Sequence, residues 1–215
     1  LFKRVRDKPW LSESPGYAAH QVIALVFVTI ATVLGSAAWF SPIGWAGDSA
    51  SRFLSSDGTT RFLAAMLFGE LVMWDLPCAI WVKQLRRPDM LIHHVAMAAV
   101  AFNAAWLAPI FYGVFYLGLI EVTTIPLNIH EYYAHAAKVA EGAAGVSTAL
   151  LTRLQALRDG FQAGAAASFV AVRGVLFTGV SARLFMPEIA PLLSSSASHG
   201  LRGPLIGHAT SVAGF

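Results

Sequence analysis

Long apolar runs separated by short polar turns dominate this chain. Residues 18–40 form the first run, apolar from position 22 to 39, and a helix of roughly 20 such residues crosses a bilayer. Ser41-Pro42 ends it, and 41–61 is a loop rich in Gly, Ser and Asp. A second run, 62–82, carries Glu70, Asp75 and Pro77; a basic turn, 83–89, follows it. The third run is 90–107. Pro109 leaves so short a turn that the fourth, 110–129, must return antiparallel. Residues 130–160 are more polar, but Leu150, Leu151, Leu154 and Leu157 recur at i, i+3/i+4, which predicts an amphipathic helix on the membrane surface. The fifth run, 161–184, holds Arg173, and its Gly-Ala-rich start predicts close helix packing.

The pattern predicts an all-α, multi-pass transmembrane helical bundle with five spans. Three segments follow: a basic interfacial stretch (1–17) with Trp10 and Tyr17 as interface anchors, a transmembrane domain (18–184), and an irregular tail (185–215) in which 205–215 begins an incomplete sixth span. Composition agrees. The chain of 215 residues is 56% hydrophobic and 13% charged, against about 25% charged in soluble domains, and its mean hydropathy is +0.61. A net charge of +3 comes from loop cations and gives no reason to expect nucleic acid. One cysteine, Cys78, excludes an intrachain disulfide framework and a cysteine-based zinc site. The chain opens on Leu1, so a removed organellar presequence stays an open reading.

Cations set the expected orientation. With the N-terminus inside, Lys3, Arg4, Arg6, Lys8, Lys83, Arg86, Arg87, Lys138, Arg153 and Arg158 are inside, whereas Arg52, Arg61, Arg183 and Arg202 are outside. This bias places the N-terminus on the cytosolic face, or the stromal or matrix face of an organellar membrane. Intramembrane ionisable groups are costly and need a reason. Counted at about 1.5 Å per residue, Asp75, the pair His93-His94, Glu121 and Asn128 fall within roughly 10 Å of one depth in the inner half. They form a candidate chamber for lipid or another ligand. Asp75, His93 and His94 are the candidates for acid–base work, although none is singled out as catalytic. The two histidines stand about 100° apart on a helix, so they do not face one site equally. Arg173 is the cation available to pair with Glu121. Glu70, in the outer half, reads as structural or solvent-facing. Pro77 and Pro126 are expected to kink their helices near one depth. The spacing His130-x4-His135 is a weak metal signal, and no metal site is assigned.

These residues carry a resemblance. Asp75, then Arg87-Pro-Asp89-Met-Leu-Ile-His93-His94, then Glu121-Val-Thr-Thr-Ile-Pro126-Leu-Asn128, then Arg173, are similar in order and spacing to the TLC-domain membrane proteins. That family includes ceramide synthases and non-synthase members linked to lipid handling. The synthases carry paired Asp residues after the double His. Here no Asp lies between Asp89 and Asp159, so the chain looks like the non-synthase branch, and the resemblance leans away from an enzyme. The leading expectation is a protein that binds or senses membrane lipid, with no cofactor beyond that lipid. The alternative is a non-catalytic subunit of a large photosynthetic or respiratory membrane complex, its histidines ligating a pigment. A residual lipid acyltransferase is the third reading.

Overall fold

The computed structural model describes residues 8–54, 57–194 and 202–213. All regular structure among them is helical. Four helical stretches are long and apolar enough to cross a membrane: Pro15–Trp39, Ser49–Trp81, Pro88–Leu107 and Thr148–Ser194. We label the elements α1 (Pro9–Glu13), α2 (Pro15–Trp39), α3 (Gly58–Glu70, a π-helical turn Leu71–Asp75, then Leu76–Trp81), α4 (Pro88–Leu107), α5 (Thr124–Gly142), α6 (Thr148–Ser194) and α7 (Arg202–Ala213).

Local chemistry sets the boundaries. Pro15 and Pro88 occupy first-turn positions, where the missing N–H costs nothing and the fixed φ suits a helix. Asp57 caps α3 by accepting from Thr60 N at 2.6 Å, and Ser147 caps α6 through Leu150 N at 3.3 Å. The π turn of α3 comes just before Pro77, whose absent N–H leaves the helical ladder open at that level.

The fourth expected run, 110–129, is not one helix. It is a short helix at Gly113–Tyr116, a 3-10 turn at Leu119–Thr123, and then the start of α5. Gly118 is the reason. A Cβ there would lie 2.6 Å from the Gly35 Cα of α2, and one on Gly35 would lie 2.5 Å from the Gly118 Cα. Two backbones touch at this point, so neither glycine tolerates a side chain. The broken segment lies in the interior, with Ile110, Phe111, Tyr112, Val114 and Phe115 all buried.

The bundle has two distinct ends. At one, Trp39, Trp45, Phe53, Phe111, Tyr112, Phe115 and Phe185 form an aromatic core. Arg52 donates through Nε to Glu188 Oε2 at 3.0 Å and pairs with Oε1, while the Tyr112 hydroxyl donates to Oε2 at 2.9 Å. At the other end is the turn bearing Lys83, Arg86 and Arg87. Past that basic end, α5 and the first part of α6 continue as a hairpin.

Four expectations change here. Trp10 is not an interface anchor: it is 4% exposed, packed among Ala136, Ala137, Ala140 and Leu154, and its Nε1 donates to the Tyr132 hydroxyl at 3.1 Å. Leu150, Leu151 and Leu154 do not lie on a membrane surface; they belong to α6 and pack against α5 and Trp10. Nothing stands near a Cβ built on Gly160 or Gly164, so the Gly-Ala stretch is open instead of closely packed. In the tail, α7 folds back along α4, held by Asn103 Nδ2 to Pro204 O at 3.1 Å and His208 Nε2 to Ala108 O at 2.8 Å. The cations expected at Lys3, Arg4 and Arg6 lie outside the described residues.

Candidate functional site

The helices enclose a cavity of about 830 Å³. Its walls are mostly apolar, with Val28, Met97, Val100, Ala101, Leu117 and Ile120 among the residues that face it. Polar residues also line it, from Gln84 and Arg87 at the basic turn to His208 on α7. Asp75, His93, His94, Glu121, Asn128 and Arg173 all line this one cavity.

Asp75 is the centre of a polar cluster in this lining. It is 6% exposed. Its Oδ1 lies 2.9 Å from His20 Nε2 on α2, and its Oδ2 lies 3.8 Å from His94 Nδ1 on α4. The first is a hydrogen bond; the second is a close approach beyond hydrogen-bond length. Three helices thus converge on one carboxylate. His93 stands at the exposed rim, its ring 5.9 Å from that of His94, as their offset of about 100° requires.

Glu121 sits on the 3-10 turn. The Arg173 guanidinium approaches its Oε1 at 3.5 Å and donates through Nε to Thr123 Oγ1 at 3.1 Å. The Thr124 hydroxyl donates to Glu121 Oε2 at 2.7 Å. Arg173 belongs to a π-helical stretch, Phe169–Phe177, and stacks over Phe169 at 5.8 Å. Asn128 lines the cavity with its Nδ2 unbonded.

Two residues join the site unexpectedly. His20, at the start of the first run, is 8% exposed and supplies the shortest contact to Asp75. Its polar character among apolar neighbours was the only signal. Glu70 is neither solvent-facing nor remote. It is 7% exposed and lines the cavity together with Asp75. In an α-helix, residues five apart stand about 140° from each other. The π turn at Leu71–Asp75 bonds i to i+5, which brings residues five apart onto one face.

His130 and His135 do not meet each other. His130 Nδ1 contacts the Arg158 carbonyl at 3.0 Å, while the His135 ring packs 4.5 Å from that of Tyr17. Burial lowers the pKa of His135, with Glu13 opposing the shift.

The cavity opens sideways. Among the described residues, α4 and α6 share no packed interface, and α7 bridges them only toward the aromatic end. His93 on α4 and Gln162, Ala166 and Phe169 on α6 line the cavity and are exposed as well. They frame a lateral gap. At the basic end, Gln84 Nε2 donates to Ser14 Oγ at 2.7 Å and ties the start of α2 to the turn.

The arrangement combines mostly apolar walls, a polar cluster and a lateral opening, features that suit an amphiphile. No curated protein and no solved structure matches the chain. A family profile, that of the TLC domain, matches residues 17–195 and so takes in every cavity-lining residue from α2 to α6. The chain is an integral membrane protein of the TLC-domain family.

Proposed function

We propose that this TLC-domain protein binds a membrane lipid inside its helical bundle. The polar part of the lipid sits among Asp75, His93, His94 and Asn128, and its chain lies along Met97, Val100, Leu117 and Ile120. The observation that carries this reading is the 830 Å³ cavity, with mostly apolar walls and with Asp75, His93, His94 and Asn128 all in its lining. Binding needs no chemistry from the histidines, and the reading assigns none to them. The N-terminus lies on the positive-inside face, supported by the exposed Lys83, Arg86 and Arg87 beside the start of α2.

Lipid extraction from the purified protein, followed by mass spectrometry, tests the proposal. Wild type is expected to carry lipid. Ala101→Phe, which fills the cavity at a residue 1% exposed, is expected to lose most of it. His94→Ala is expected to retain less than wild type with the same fold by circular dichroism. Wild type free of lipid, or equal loading in all three, would sink the idea.

A further inference from the structure

The two ends of the cavity differ in what their polar atoms lack. Toward the basic turn, four buried side-chain atoms of lining residues have no hydrogen-bond partner: His20 Nδ1, Gln21 Oε1, His94 Nδ1 and Asn128 Nδ2. Toward the aromatic core the polar groups are already met. His208 Nε2 donates to the Ala108 carbonyl at 2.8 Å, and the Ser211 hydroxyl donates to the Gly207 carbonyl at 2.7 Å. The Tyr116 hydroxyl shares a bond of 2.9 Å with that of Ser181. Buried polar atoms are normally bonded, so a bound amphiphile gains by placing its headgroup at the first end and its chain terminus at the second. Glu70, Glu121 and Arg173 line the stretch between, the last two paired at 3.5 Å.

The second end is walled by α7. His208, Ser211 and Val212 line the cavity there, beside Ile110 and Phe185, which are 2% and 0% exposed. α7 is fixed in place: Leu205 is fully buried in the aromatic core, and Asn103 Nδ2 donates to the Pro204 carbonyl at 3.1 Å. The family profile stops at residue 195, so this wall lies beyond the family domain. Along α4 the lining runs from His94 through Met97, Val100 and Ala101 to Ala104. That stretch of helix rises about 15 Å. It equals half of the ~30 Å hydrocarbon core, the depth that one lipid chain fills in its own leaflet.

We infer that α7 is the chain-length stop of this cavity: a lipid binds with its headgroup at the unpartnered polar atoms and its chain terminus against Ser211 and Val212. The inference rests on the lipid-binding reading and adds a specificity to it. A longer chain displaces α7 or leaves its excess outside the cavity, and a shorter one leaves the far end unfilled. Each costs free energy.

The test reads chain length whatever the headgroup. The full chain is reconstituted into vesicles of total membrane lipid supplemented with equal amounts of myristoyl, stearoyl and lignoceroyl monoacylglycerol, then purified again. Bound acyl chains are released by saponification and compared with those of the vesicles by gas chromatography. Wild type is expected to enrich stearoyl over lignoceroyl chains about ten-fold, a ratio equivalent to ~1.4 kcal/mol. Val212→Trp is expected to shift the retained chains toward myristoyl. Val212→Ala, safe if the tryptophan variant does not fold, is expected to shift them toward lignoceroyl. Ile206→Trp, on α7 but 50% exposed and outside the lining, is expected to keep the wild-type profile. Chains bound in the proportions of the vesicles, or a profile that neither Val212 variant moves, overturns α7 as the stop and leaves the lipid site standing. A shift as large in Ile206→Trp as in Val212→Trp does the same. A protein that retains no lipid chain overturns the lipid site itself.

Discussion

Asp75 sits between two histidines at unequal distances, 2.9 Å to His20 and 3.8 Å to His94. Coupling energies should follow that inequality. A double-mutant cycle on His20→Ala and Asp75→Asn is expected to give about 1–3 kcal/mol in detergent unfolding, whereas the cycle on His94 and Asp75 falls below ~0.5 kcal/mol. Equal couplings would mean that Asp75 is shared evenly and that His94 is not held free for a ligand. The glycine contact makes a second demand at this scale. Gly35→Ala places a methyl 2.5 Å from the Gly118 Cα, and the unfolding midpoint should drop by the equivalent of about 1–3 kcal/mol, the usual cost of overpacking. Gly174→Ala, with nothing near its Cβ, serves as the silent control. At this scale the sequence was readable by depth. Counting residues from the turns was enough to expect Asp75, His93, His94, Glu121 and Asn128 near one level, and all five, with Arg173, line one cavity. Glu70 escaped because that count assumes α-helical geometry, and one π turn changes which side chains share a face.

Elements depart from expectation where tertiary contacts override pattern. Residues 110–123 are as apolar as a spanning helix, yet the approach of Gly118 to α2 breaks them into short turns. The stripe at Leu150–Leu154 has the spacing of a surface helix, but α5 and Trp10 cover it, and an apolar stripe does not say what covers it. The runs that became α2, α3, α4 and α6 were legible because length and hydropathy alone decide them. Ends of elements are joined by polar ties that periodicity does not reveal. The strongest is Arg52 with Glu188 and Tyr112, side chains only 12% and 18% exposed for the ion pair. Glu188→Ala leaves the guanidinium without its carboxylate and should cost on the order of 3 kcal/mol. Glu188→Gln retains an acceptor for Tyr112 and should cost visibly less. Thermal unfolding monitored by tryptophan fluorescence reports both, since Trp45 lies against Arg52 at 5.6 Å.

For the whole molecule, the two ends differ in charge and in packing, and accessibility labelling tests the orientation proposed from that difference. In a Cys78→Ala background, cysteines at Lys83 and at Ala46, both exposed, should react with a membrane-impermeant maleimide from opposite sides, Lys83→Cys from the side of the N-terminus. Labelling of both from one side would remove the assignment of α3 as a crossing helix. The lateral gap between α4 and α6 has a kinetic meaning. A ligand that arrives between His93 and Phe169 leaves one hydrocarbon phase for another, with no helix unfolded and no passage through water. Loading should therefore follow the mole fraction of the lipid in the bilayer and be indifferent to its monomer concentration in the aqueous phase. Diluting a vesicle suspension would leave occupancy unchanged, whereas diluting the lipid within the membrane would lower it.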